Sequence, residues 1–184
     1  MSRASRAERH VLERRAPVLT PAIVPAVAQF RQLLVASSGS QYARTMEIRQ
    51  YQSDDLAATV ELWRRSELLT PSNDPRRDIE RKLADSPWGL LLMVDDSVVI
   101  GSIMIGYDGH RGWVNYLACD PEHRRKGVAS ALMAKAHEVL LERGCPKINL
   151  QVRAGNQPAS RFYESIGYSN DDVSSYGRRL LVEE

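Results

Sequence analysis

Cysteine is scarce in this chain of 184 residues. Cys119 and Cys145 are the only two, too few for a disulfide framework. They read as buried, reduced thiols of a cytoplasmic protein. Long apolar runs are missing too. The nearest approach, 17–36, is broken by Pro21, Pro25, Gln29 and Arg31, so no membrane-spanning helix is expected. A dominant charge sign is also missing. The formal net charge is +2, from 25 Lys and Arg against 23 Asp and Glu. Seven of the Arg but only two of the Glu fall in residues 1–45, which leaves 18 basic and 21 acidic residues in 46–184. That mild acidity excludes a surface built to neutralise nucleic-acid phosphates. No metal site is expected, because a chain of this length that is 43% hydrophobic can bury a core without metals or disulfides.

Residues 1–45 are rich in Arg, Ala, Ser and Pro and end in the linker-like Ala36-Ser37-Ser38-Gly39-Ser40. The segment reads as a disordered N-terminal extension, as sequence upstream of a natural start at Met46, or as an Arg-rich targeting segment. It is assigned no chemistry. The domain is expected over 46–184.

Within it, Met46 to Tyr51 reads as a short strand. Ser53 is the expected N-cap of a helix with Leu56, Val60 and Trp63 at helical spacing. A shorter helix carrying Ile79 and Leu83 follows Pro75. Trp88 to Val94 and Val98 to Tyr107 read as strands. Asp108-Gly109 signals a tight type I′ hairpin, with Trp113 to Cys119 returning. The amphipathic stripe Val128, Leu132, Ala136, Val139 and Leu140 predicts a helix ending at Gly144. Then come a strand over Ile148, Leu150 and Val152, a helix capped by Asn156, and a last strand over 175–182, with room for a short extra strand near Tyr168. This order predicts an α/β (α+β) fold, one mixed sheet with helices on both faces.

The sharpest feature is Arg124-Arg125-Lys126-Gly127-Val128-Ala129, between a strand and a helix. Unpaired amides and the positive end of the helix dipole meet three cations there. Gly127 permits close backbone approach, and Ala129 is small. Those are the requirements of a pyrophosphate site. A solvated basic turn is the competing reading. The loop is neither a Walker A motif nor the dinucleotide Gly-x-Gly-x-x-Gly.

Arg124, Gly127 and Ala129 meet the pattern Gln/Arg-x-x-Gly-x-Gly/Ala. Asn156, Ala159, Phe162, Tyr163, Gly167 and Tyr168 meet a second pattern at the expected distance. Together they resemble the GNAT superfamily of acyl-CoA N-acyltransferases over about 46–184. Asn73-Asp74-Pro75 with Asp78-Ile79-Glu80-Arg81-Lys82, Gly106 to Gly112 and Arg143 to Ile148 resemble its YpeA-like branch. The resemblance implies the GNAT fold and transfer of acetyl from acetyl-CoA, without a metal, to a primary amine by direct attack in a ternary complex. It implies that backbone groups near Leu117, Ala118 and Cys119 hold the pantetheine arm between two splayed strands. Arg124, Arg125, Lys126, Gly127, Val128, Ala129 and Ser130 would hold the pyrophosphate, Asn156 would bond near the pantetheine, and Tyr163 would protonate the departing thiolate. A homodimer is an expectation of the resemblance alone.

One position departs from the pattern. The strand before the loop carries no carboxylate, and the place of the family's Glu falls at Trp113. Glu67, Asp74, Asp108 and His110 are the substitutes considered for a base. Asp108 also suits the turn itself, and His110 a solvent-facing position. Cys119 reads as a small buried hydrophobe rather than an acyl carrier. Trp63 and Trp88 read as core first, whereas Trp113 and Tyr116 suit either core or an acceptor pocket. The missing Glu keeps a non-catalytic acyl-CoA-sensing module as the rival reading.

Overall fold

The computed structural model describes residues 46–181. The expected extension 1–45, and Val182 of the expected last strand, lie outside the described residues. In chain order the elements are β1 (Met46–Gln50), α1 (Leu56–Arg65), α2 (Pro75–Asp85), β2 (Leu90–Asp95), β3 (Val98–Tyr107), β4 (Gly112–Cys119), α3 (Val128–Glu142), β5 (Ile148–Leu150) and α4 (Gln157–Ser165). The strands form one sheet in sequence order. β1 to β4 are antiparallel, and β4 and β5 are parallel.

Strand alternation divides the core in two. Leu90, Leu92 and Val94 face Leu62 and Trp63 of α1 and Ile79 of α2. Leu91 and Met93 face the other way, with Val128, Leu132, Ala136 and Leu140 of α3, and with Phe162, Tyr163 and Ile166 packed alongside. The expected helices on both faces are therefore present. They explain why all six residues of β2 are buried. α3 approaches the sheet closely at Gly101. A Cβ there would stand 2.6 Å from Val128 Cγ1 and 2.9 Å from Leu132 Cδ1, so only glycine admits the first turn of α3 at this depth.

Several local expectations need correction. Ser53 does not cap α1. Residues 53–55 form a 3-10 turn, and the Asp55 carboxylate accepts the Gln52 N–H (2.8 Å) while gripping Arg49 at 2.7 and 2.8 Å. α2, with 11 residues against the 10 of α1, is not the shorter helix. Pro87–Gly89 is a 3-10 turn, so β2 starts only at Leu90. Asp108 to Arg111 form a wider loop, not a type I′ turn, because Gly109 alone takes positive φ (86°). Asp108 instead accepts the His110 and Arg111 amides. Residues 166–181 contain no strand, and Val173, Tyr176, Leu180 and Leu181 stand exposed. Side chains, not a backbone ladder, hold this tail: Lys147 to Asp171, Gln151 to Ser175, and Arg179 to the Ser72 carbonyl.

β4 is where the sheet becomes irregular. Ser102 faces Ala118 and Met104 faces Asn115, so Tyr116 and Leu117 share the place opposite Ile103. Tyr116 takes φ 47°. One extra residue reverses the alternation. Val114 packs on the α3 face, and beyond the bulge so do Leu117 and Cys119, while Tyr116 and Ala118 pack on the α1–α2 face. β5 pairs only Gly112, Trp113 and Val114. From Asn115 onward β4 keeps its β3 partner and, among the described residues, has none on the β5 side. The parallel strands therefore form a wedge that opens toward their carboxyl ends.

Candidate active site

The wedge leads from Cys119 into the basic loop. The loop's near end is fastened by Asp120, which is buried. Its carboxylate pairs with Arg65 of α1 at 2.6 Å and accepts the Glu122 amide at 2.9 Å. Its amide donates to the Ile100 carbonyl at 2.9 Å. Arg125 (φ 62°) and Gly127 (φ 85°) then take left-handed steps, which let backbone amides converge on one point. Gly127 is the N-cap of α3, so the amides of Val128, Ala129 and Ser130 have no intrahelical acceptor. A Cβ at Gly127 would meet nothing within 4 Å; φ, not crowding, requires the glycine. Arg124, Arg125 and Lys126 are exposed, and none forms an ion pair among the described residues. Uncommitted amides, the helix dipole and three uncommitted cations suit a polyanion such as pyrophosphate.

Leu117 and Cys119 are half-buried and Ala118 is buried, all in the unpaired stretch of β4. Burial, the largest influence, pushes the Cys119 thiol up, against Arg124 and Lys126. That keeps it a protonated thiol, unsuited to nucleophilic attack. Asn156 spends its Oδ1 on the Ala159 amide, 3.2 Å away, as the cap of α4. Its amide nitrogen donates to nothing among the described residues. Tyr163 packs edge-on against Phe162 and Tyr168, with ring centroids at 5.1 and 5.8 Å. Burial pushes its phenol up to about 12, and its hydroxyl makes no hydrogen bond among the described residues. Tyr168, by contrast, is engaged with His137 at 2.8 Å. The Tyr163 hydroxyl is a proton donor with no acceptor among the described residues.

On the opposite face, Trp63 is fully buried, and its Nε1 donates to Ser102 Oγ at 2.8 Å. Ser102 in turn donates to the Tyr116 carbonyl at 3.0 Å. The Tyr116 ring stacks on Trp63 with centroids 3.9 Å apart, and its hydroxyl donates to Asp78 Oδ2 at 2.6 Å. Trp113 is 37% exposed and donates Nε1 to Asp108 at 3.1 Å. Trp88 is only half-buried, with Arg143 3.9 Å from its ring centroid. Of the candidate bases, Asp74 is occupied as the cap of α2. Asp108 is held down to about 2 by the Arg111 and His110 amides and Trp113. Glu67 and His110 are exposed. Asp78 stands in one of the stretches that carry the resemblance, but the sequence assigns it no role. It lies 38 positions before Tyr116, and no local pattern ties the two. No local pattern ties Arg65 to Asp120 either, because the two meet across separate elements.

Comparison with known proteins fits this arrangement. Residues 47–168 match the family model for the acetyltransferase (GNAT) family. The chain is 42% identical over 139 residues to a protein of Yersinia pestis named acetyltransferase, an alignment covering 76% of this chain and 99% of the relative. It is 45% identical over 140 residues to an acetyltransferase of Sodalis glossinidius, covering 76% and 99%. Among solved structures, the aminoglycoside N-acetyltransferase AAC(6')-Iy in complex with CoA has the same fold. Its TM-score is 0.64 at 19% identity, covering 77% of this chain and 99% of that one.

Proposed function

The chain belongs to the acetyltransferase (GNAT) family and is an acyltransferase, and from that premise we propose that it moves the acetyl group of acetyl-CoA to a primary amine within a ternary complex. The observation that carries this reading is the wedge between β4 and β5 running into the loop of free cations and helix-start amides. The residues present fit the co-substrate. The wedge offers backbone groups of Leu117, Ala118 and Cys119 to an extended, amide-bearing arm, as a sheet edge does to an added strand. The Asn156 amide nitrogen bonds to the same arm. The amides and side chains from Arg124 to Ser130 hold the pyrophosphate, where a Cβ-free, uncrowded Gly127 leaves room. The catalytic domain is 46–184, with 1–45 an extension to it.

With both substrates held, much of the rate comes from proximity. A β4 amide in the unpaired stretch stabilises the oxyanion. The acceptor nitrogen forms the new C–N bond, the C–S bond breaks, and Tyr163 gives its proton to the sulfur. A phenol held near 12 is fully protonated at neutral pH, as a general acid must be. Its lack of an acceptor among the described residues favours turnover over simple sensing.

Thermal unfolding of the full chain with and without acetyl-CoA tests this. At a hundredfold excess over Kd, binding adds about 2.7 kcal/mol, which raises the midpoint by about 5–10 °C. Thiol release on adding amines then separates an enzyme from a sensor. No rise at millimolar acetyl-CoA in a folded sample refutes the reading.

A further inference from the structure

β4 has no carboxylate, and the acids nearest in sequence are spent or solvent-facing. Through Tyr116, the bulge ties β4 just past its last β5 pair to one acid of another element. Tyr116 sits two residues beyond the last β4–β5 pair. The bulge turns it onto the α1–α2 face, where its hydroxyl holds Asp78 of α2 at 2.6 Å. Stacking on Trp63 and the Trp63–Ser102–Tyr116 hydrogen bonds fix that hydroxyl. Asp78 keeps 21% of its side chain exposed, so it is not sealed from solvent. The titratable and charged groups placed against it are Arg81 on its own helix, 3.3 Å from Oδ1, and Tyr116 from β4.

We propose that Asp78 is the acceptor-side catalytic carboxylate: it binds a cationic primary amine and takes its proton, with Tyr116 positioning it at the bulge of β4. This rests on the acetyl-transfer reading above. The acceptor arrives as R–NH3⁺ and gives one proton to Asp78, which returns it to water. The freed electron pair forms the C–N bond as the C–S bond breaks. The sulfur leaves with the Tyr163 proton, and the second nitrogen proton restores Tyr163 through solvent. One proton is released overall.

Asp78→Asn is the decisive variant, because Asn still accepts the Tyr116 hydrogen bond but takes no proton. The full chain is assayed by thiol release from acetyl-CoA with spermidine, a free-N-terminus tetrapeptide and an aminoglycoside, and the fastest acceptor is followed from pH 6.5 to 9.5. Acetyl-CoA-dependent melting of each protein is measured in parallel. At pH 7 kcat/KM for the amine should fall about 10²–10³-fold, the scale of general base catalysis. The variant's rate should then climb about tenfold per pH unit as the amine deprotonates itself, against a flat wild-type profile. Tyr116→Phe should cost less and keep the flat profile.

A wild-type rate and profile in Asp78→Asn, with the acetyl-CoA shift intact, overturns this inference alone. A drop that is uniform across pH assigns Asp78 a tethering role and also overturns it. A wild type that binds acetyl-CoA but acetylates none of the three amines counts against Asp78 as an amine site. A wild type that does not bind acetyl-CoA overturns the acetyl-transfer reading instead.

Discussion

Replacing Gly127 by Ala and by Glu separates backbone strain from charge at the basic loop. Gly127 holds φ 85° with open space around a Cβ. Alanine therefore meets no clash and bears only the left-handed penalty of about 1–2 kcal/mol. That lowers the midpoint by about 2–8 °C. Glutamate bears the same penalty and adds one negative charge beside the proposed pyrophosphate. Two unit charges ~4 Å apart interact by about 1 kcal/mol in water and about 4 near a protein surface. For a flexible, exposed carboxylate facing two phosphate charges, about 1.4 kcal/mol each is a fair middle value. Acetyl-CoA affinity should then be about a hundredfold weaker in Gly127→Glu than in Gly127→Ala. Stability should move the other way, because an anion at a helix start adds about 0.3–1 kcal/mol. Calorimetric titration gives the first number, and melting without ligand gives the second. The affinity gap should narrow as salt rises. Equal affinities in the two variants refute the placement of the pyrophosphate at this loop.

Two further outcomes follow from other contacts. Tyr163→Phe should lower kcat about a hundredfold and leave the acetyl-CoA melting shift intact. In the wild type, ionisation of Tyr163 should cause no loss of rate up to about pH 10, since burial holds the phenol near 12; an unchanged kcat makes Tyr163 a packing residue. The Arg49 guanidinium, by hydrogen bonding, holds the Asp55 carboxyl below its ordinary 3.8. That stabilisation is complete above pH 3.8 and is lost as pH falls through the lower, folded-state value. Asp55→Asn should thus cost about 2 kcal/mol at pH 7 and flatten the acid side of the stability curve. A parallel, uniformly lowered curve argues against the pair.

What was legible in the chain divides by range. The amphipathic stripe of α3, the cap at Asn156 and the stop at Gly144 follow from neighbours within a turn or two, and they were read correctly. The left-handed Gly127 before α3 is local too, since its glycine stands in the loop itself. Boundaries set by competing local bonds were not read correctly. Residues 53–55 form a 3-10 turn in which the Asp55 carboxylate takes the Gln52 amide and Arg49, a partner six residues away on another element. The last strand failed for a different reason: side-chain contacts fasten the tail without a ladder. The bulge was illegible, since nothing in Asn115-Tyr116-Leu117 announces an extra residue. With it went the meeting of Tyr116 and Asp78, which depends on which face the strand shows after the slip.

A sheet that divides along its length carries an edge in its interior, and an edge is a template for foreign strands. Asn115 to Cys119 offer such a template without the usual charged or proline guards on the strand itself. Shape guards it instead. An invading strand needs ~4.7–4.9 Å of clearance on each side along its whole length, and the wedge tapers to nothing at the Val114–Leu150 pair. A slender guest with few side groups can enter where a polypeptide strand is stopped. The three residue pairs at the closed end are therefore a clasp for colloidal stability. Loosening them, for instance by crowding Gly112 against Cys145 and Leu140, would turn a ligand cleft into an aggregation surface.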